Sequence, residues 1–248
     1  MSRLLGAAFA GGASSLAVVL ATSSPSAHAE ERRPAGIQQT LTSVAANLRV
    51  DSWRASGGGG GGDGSAWSVS KDTLHGGRQE GVDVITVDNG RLRFTVVPTR
   101  GMSLGSLAAT GPPGSGGAVS VGWQSPVREV VHPTFVDLAQ GGGLGWLTGF
   151  NEFLVRCGIA HAGHPGPDGG TLKTLHGRIG NVPASEVEVV VDADEPHTIR
   201  VRGRVDEQMF KFCDFELWTV RDLCGHPPNT LWRRFLFMIG FALLSLLS

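Results

Sequence analysis

Apolar and polar positions alternate most clearly in two places along the chain. Val82-Asp83-Val84-Ile85-Thr86-Val87 reads as a strand, and Asp88-Asn89-Gly90 as a tight hairpin turn in which Asn-Gly supplies positive φ. Leu92, Phe94 and Val96 then fall on one face and Arg91, Arg93 and Thr95 on the other, a period of two that ends at Pro98. The second hairpin has Val187, Val189 and Val191 alternating with Glu186, Glu188 and Val190. It turns through Asp192–His197 and returns with Ile199, Val201 and Val205 alternating with Arg200, Arg202 and Arg204. Glutamates facing arginines across this pair would support its register by a few tenths of a kcal/mol each. Shorter extended pieces lie at Val119–Trp123 and Val127–Val136, and Phe150–Cys157 reads as either a strand or a single helical turn. Residues 81–210 therefore predict an all-β, mostly antiparallel domain.

The flanks carry weaker patterns. Residues 30–80 read as a low-complexity, flexible linker, with one short amphipathic helix predicted over Gln38–Val50 from Leu41, Val44, Ala45 and Leu48. Six consecutive glycines, Gly57–Gly62, have no side chains to bury and much entropy to lose on ordering. Residues 211–248 read as a divergent tail. Its last stretch, Phe235–Ser248, has no charged residue but is shorter than the roughly 20 residues a spanning helix needs. Packing of this tail on the body is therefore preferred to membrane association. At the other end, Arg3, an apolar run to Ala21 and Ala27-His28-Ala29 make residues 1–29 a signal peptide and predict export to a periplasm or the outside.

Composition narrows the partners. A net charge of -1 without a basic stripe excludes nucleic acid as an expected partner. Three cysteines without CxxC spacing predict neither a zinc site nor a disulfide framework. The strongest candidate chemistry is Leu175-His176-Gly177-Arg178-Ile179-Gly180-Asn181-Val182-Pro183. It joins a side chain that exchanges protons near neutral pH to one that holds oxygens in a fixed fork.

Read together, several phrases carry a resemblance. They are Thr95-Val96-Val97-Pro98-Thr99-Arg100-Gly101-Met102-Ser103-Leu104, Gly122-Trp123-Gln124-Ser125-Pro126, Val130-Val131-His132-Pro133, Gly142-Gly143-Leu144-Gly145-Trp146-Leu147, Gly149-Phe150-Asn151-Glu152, Val155-Arg156-Cys157-Gly158 and the His176 phrase. Over roughly residues 81–207 the chain resembles a largely bacterial branch of the aldose 1-epimerase (galactose mutarotase-like) superfamily. The resemblance implies an antiparallel β-supersandwich, here its N-terminal portion, binding a small-molecule carbohydrate in a cleft. It also implies cofactor-independent isomerisation. In mutarotases a histidine protonates the ring oxygen while a carboxylate takes the anomeric hydroxyl proton, which is paired acid and base catalysis. His176 looks like the family's His-Gly histidine, with Arg178 as its companion and Arg100 in the Arg-Gly-Met phrase. Within the matched part Glu152 is the carboxylate expected as base, and Arg100, His132, Asn151, Arg178 and Trp146 are expected to contact the substrate. The superfamily's later catalytic histidine phrase and base glutamate have no counterpart, because the chain leaves the pattern near Met209. A non-catalytic sugar-binding module, or a degenerate truncated homologue, is therefore the alternative expectation.

Overall fold

A computed structural model describes residues 35–58, 66–110, 118–154, 156–158, 160–194, 197–209 and 213–224. The expected signal peptide, Gly59–Gly62 and the apolar stretch from Phe235 lie outside the described residues. Among those described, no helix is long and apolar enough to cross a membrane.

The strands in chain order are β1 (Ala35–Ser43), β2 (Leu48–Arg49), β3 (Trp53–Gly57), β4 (Trp67–Thr73), β5 (Asp83–Asp88), β6 (Leu92–Val97) and β7 (Ser103–Thr110). They continue as β8 (Ala118–Ser120), β9 (Gly166–Asp168), β10 (Thr171–Lys173), β11 (Glu186–Asp192), β12 (Thr198–Met209) and β13 (Cys213–Cys224). Strands β3 to β8 form a sequential antiparallel sheet, and a five-stranded sheet has the order β13-β12-β11-β1-β2. One core draws on both sheets. Val69, Ile85, Val87, Phe94, Val96, Leu104 and Leu107 come from the first, and Leu41, Val187, Val189, Val191, Ile199, Val201 and Val205 from the second. Each such side chain contributes about 1.5–3 kcal/mol on full burial, which is why period-two apolar stripes on both sheets select a sandwich. The molecule is an all-β, antiparallel sandwich.

Both hairpins anticipated from alternation form. Glu186 pairs with Arg204 and Glu188 with Arg202 across β11 and β12, as the charge pattern predicts. At the first hairpin the turn is shifted by one residue. Gly90, with φ 80, takes the first central position, and the Asn89 side chain accepts from the backbone N–H of Arg91 and Leu92 instead of entering a left-handed conformation itself.

Three expectations are corrected. Residues 35–58 and 66–73 are strands rather than a flexible linker, and no helix forms over Gln38–Val50. Only Leu41 of the supposed helical stripe is fully buried, while Val44 is 70% exposed. Pairing of β1 with the valine-rich β11 overrides the accidental helical spacing. In β4 an inward position is held by Lys71, 1% exposed and 2.9 Å from Asp83, so the apolar alternation there is disguised. The first glycine of the glycine run is fixed by packing, since a Cβ at Gly57 would lie 2.7 Å from the Trp67 ring. Second, strand pairing does not stop at residue 210. β13 pairs with β12 from Met209↔Cys213 to Thr198↔Cys224, although its sequence mixes charged and apolar residues without a steady period. Third, the described part of Phe150–Cys157 is neither strand nor helical turn. It is irregular chain attached by one bridge, Leu104↔Leu154, and by the Phe153 N–H to the Leu104 carbonyl at 2.9 Å.

Candidate functional site

The His176 phrase is a tight turn clamped by its neighbours. Leu175 N–H donates to the Gly143 carbonyl at 2.9 Å and His176 N–H to that of Gly163 at 3.1 Å. Gly158 N–H donates to the His176 carbonyl at 2.7 Å and Gly177 N–H to that of Thr174 at 3.0 Å. These bonds hold His176 at φ 59, a left-handed conformation that costs a residue with a Cβ about 1–2 kcal/mol. Gly177 follows at φ 71, where a Cβ would meet the His161 carbonyl oxygen at 2.3 Å.

The imidazole so placed is half-buried. Its Nδ1 lies 3.5 Å from both Cys157 Sγ and the Ala162 carbonyl oxygen, and Nε2 has no hydrogen-bond partner among the described residues. The ring meets Trp146 edge to face at 4.8 Å. Trp146 stacks on Phe150 at 4.2 Å, and Phe150 meets Trp123 at 4.9 Å. The Trp123 indole N–H donates to the Glu152 carbonyl at 3.3 Å, so an aromatic ladder runs from His176 to the backbone of Glu152. Burial pushes the Cys157 thiol up, which keeps it protonated and a poor nucleophile near neutral pH.

Arg178 stands at the start of the 3-10 turn Ile179–Asn181. Its guanidinium is 47% exposed, and its Nε donates to Glu207 at 3.3 Å. Glu207 is 5% exposed and its second carboxylate oxygen has no partner. Glu207 is the residue that reading the sequence misses. The signal was available: Ile199, Val201, Gly203, Val205 and Glu207 share one buried face of β12, so the alternation itself points a charge inward.

Arg100 and Glu152 are spent on each other. Arg100 Nη2 donates to Glu152 at 2.7 Å with the two side chains 1% and 5% exposed, and Nη1 donates to the Val131 carbonyl at 2.9 Å. The other oxygen of Glu152 accepts from Asn151 N–H at 3.1 Å. Both oxygens of Glu152 are thus engaged. Glu152, expected as base, and Arg100, expected to contact substrate, are thus paired with each other.

Trp146, expected to contact sugar, is 5% exposed and packed between Phe150 and His176. His132 caps the 3-10 turn Pro133–Phe135, its Nδ1 lying 2.8 Å from the Thr134 hydroxyl. Asn151 Nδ2 donates to the Glu129 carbonyl at 2.7 Å, and the residue lines an open cleft with Trp123. Of the expected set, the structure joins His176 with Trp146 and Arg100 with Glu152 and Asn151, and places Arg178 on Glu207. Among the described residues no group of three or more His, Cys, Asp or Glu could hold a metal ion.

Comparison with known proteins gives two matches. The model of the family DUF4432, a domain of unknown function, matches residues 79–224. A crystal structure from Klebsiella pneumoniae subsp. pneumoniae, described as that of a "putative aldose 1-epimerase", superposes with a TM-score of 0.68 at 38% sequence identity. That match covers 76% of this chain and 47% of the Klebsiella chain, so the present chain spans about half the length of that relative. Curated proteins give no match. A family match over more than half the chain, a galactose mutarotase-like sandwich and a solved neighbour at this identity agree: the chain belongs to the DUF4432 family, in an aldose 1-epimerase-like branch.

Proposed function

We propose that this protein binds a sugar or sugar derivative and interconverts its anomers as an exported, cofactor-independent isomerase of the aldose 1-epimerase type. The observation that carries the proposal is the 38% identity to the Klebsiella protein, extending over 76% of this chain. The His176 corner supplies the chemistry. Its Nε2 is free to protonate a ring oxygen, while Nδ1 is steadied by the Ala162 carbonyl. Loss of the anomeric hydroxyl proton to a carboxylate then breaks the bond between C1 and the ring oxygen and forms the aldehyde. Rotation about C1–C2 and reclosure return both protons and give the other anomer. The carboxylate of this scheme is Glu152 or Glu207: Glu152 is tied to Arg100, while Glu207 is bonded through one oxygen to Arg178 of the His176 phrase and has no partner for the other among the described residues. Export by the N-terminal signal is part of the same proposal.

A second reading has one observation in its favour. Both candidate carboxylates, Glu152 and Glu207, are bonded to an arginine, which suits a sugar-binding module without turnover. Two-dimensional NMR exchange on a panel of aldoses separates the readings. The isomerase reading expects anomer exchange above the buffer rate that falls about 100-fold or more in His176→Ala, the usual scale for a lost general acid. Sugar binding with no accelerated exchange would select the module. Absence of both would remove the sugar assignment altogether.

A further inference from the structure

A polar cleft whose lining does not include His176 lies at the β8 edge of the six-stranded sheet. It has a volume of about 210 Å³ and is walled by Ser106, Ser120, Trp123, Gln124, Arg128 and Asn151 among others. Two glycines open it. A Cβ at Gly122 would lie 2.3 Å from the Phe153 ring, and one at Gly105 would lie 2.8 Å from the Thr95 hydroxyl.

Trp123 is fixed in this cleft rather than merely exposed. It leans on Phe150 at 4.9 Å, and its N–H is bonded to the Glu152 carbonyl at 3.3 Å, yet 49% of the residue stays open to solvent. A rigid indole with one free side is a platform for the C–H face of a pyranose, at little entropic cost. Around it the polar groups are under-used. Arg128 Nη1 donates to Gln124 Oε1 at 3.3 Å, and its other N–H groups have no partner among the described residues. Asn151 donates through Nδ2 only, which leaves its carbonyl oxygen free to accept. Arg128 is the one charged residue lining the cleft, and no carboxylate faces it there.

We infer that this cleft is a second carbohydrate site, selective for a sugar that carries an acidic group. The ring stacks on Trp123 and the anion is held by the Arg128 fork. The inference rests on the sugar reading of the fold, but not on catalysis at His176. It also gives a role to the Gly122-Trp123-Gln124-Ser125 phrase, which the proposed isomerase leaves unused.

The test uses methyl glycosides, which cannot open and so report binding without turnover. The full chain is titrated calorimetrically with methyl glucuronide, methyl glucoside and acetate. The uronide should bind about tenfold or more tightly than the neutral glycoside, and acetate should bind far more weakly than either, since a charge-assisted pair adds to stacking but does not replace it. Trp123→Ala should weaken both glycosides. Arg128→Gln, at an exposed position that leaves the fold intact, should abolish only the preference for the acid. The inference is overturned if the acid preference survives Arg128→Gln. It is also overturned if Trp123→Ala leaves binding unchanged, or if His176→Ala removes it, since the glycoside then sits in the other corner. Accelerated anomer exchange without glycoside binding would sink this inference and leave the isomerase standing. Failure of every sugar in both assays would remove the two together.

Discussion

Glu152→Gln should cost stability rather than chemistry. In the native protein Glu152 accepts from Arg100 Nη2 at 2.7 Å and from Asn151 N–H at 3.1 Å. A glutamine keeps one oxygen for Arg100 but turns an NH2 group toward the Asn151 N–H, and it strips the counter-charge from a guanidinium that is 1% exposed. Arg100 has little else, since Nη1 reaches only the Val131 carbonyl and Nε has no partner. Breaking a buried pair by removing one partner costs about 3–5 kcal/mol, a large share of the roughly 5–15 kcal/mol that holds a domain folded. With a urea dependence of about 2 kcal/mol per molar, the unfolding midpoint should fall by about 1.5–2.5 M. Arg100→Met should cost a similar amount by stranding the carboxylate. The double variant Arg100→Met/Glu152→Gln should recover part of the loss, with a coupling of up to about 3 kcal/mol in the cycle. The measurement is urea denaturation followed by tryptophan fluorescence on all four proteins. A Glu152→Gln protein within about 0.5 kcal/mol of the parent, but unable to process sugar, would refute the structural assignment and restore Glu152 as a base.

Gly101 has φ 62, and a Cβ there would lie 2.2 Å from the Ile179 carbonyl oxygen, so Gly101→Ala should lower stability by more than about 2 kcal/mol in the same urea assay. A loss of only a few tenths would show that the two phrases are not in contact. His176→Gly should be about 1 kcal/mol more stable than His176→Ala, because glycine accepts φ 59 freely, while both lack anomer exchange. The reverse order would remove the strained turn from the account. For Asp83, burial pushes the carboxyl up, but hydrogen bonds from Arg49, Lys71 and Thr73 and the Lys71 charge outweigh it and hold the group below its ordinary value. A lowered folded pKa means that its contribution is whole above the unfolded value of about 3.9 and is lost as pH falls through the folded one. The stability gap between parent and Asp83→Asn should therefore be constant near neutrality and close below about pH 4, and a gap that widened in acid would contradict the pairing.

What could be read in the sequence depended on whether the apolar stripe was undisguised. Val187, Val189 and Val191 face the core beside outward glutamates, so β11 and its partner were legible in face and register. β4 was not, because the counter-charge of its inward lysine, Asp83, lies on another strand. β1 was not, because its partners are β11, far along the chain, and a two-residue β2. The site divides in the same way. His176 could be picked out because its phrase is local. The Arg100–Glu152 pair spans 52 positions, and nothing within either phrase says that the two side chains consume each other. Glu207 was hidden for the opposite reason: the pattern exposed it, but a charge at the end of a stripe is easily taken for the end of the strand.

The phrases that carry the family resemblance turn out to be one another's packing partners. Gly101 of the Arg-Gly-Met phrase abuts the Ile179 carbonyl of the His176 phrase, and Gly149 abuts Arg100 Nη1, where a Cβ would lie at 2.8 Å. Gly145, where a Cβ would come within 1.7 Å of the Asp137 carbonyl oxygen, closes the turn that delivers Trp146 to His176. Buried Met102 at φ 62 fills the space over Gly203 of β12, which is why that position of the strand has no side chain. Such contacts explain the phrases by sterics alone, without a ligand. Among the described residues, the polar atoms that the packing does not use include His176 Nε2, one oxygen of Glu207 and the outer N–H groups of Arg178, and the cleft at Trp123 and Arg128 is open. On the proposed function recognition falls to these groups, and substitutions at those few positions should separate function from folding.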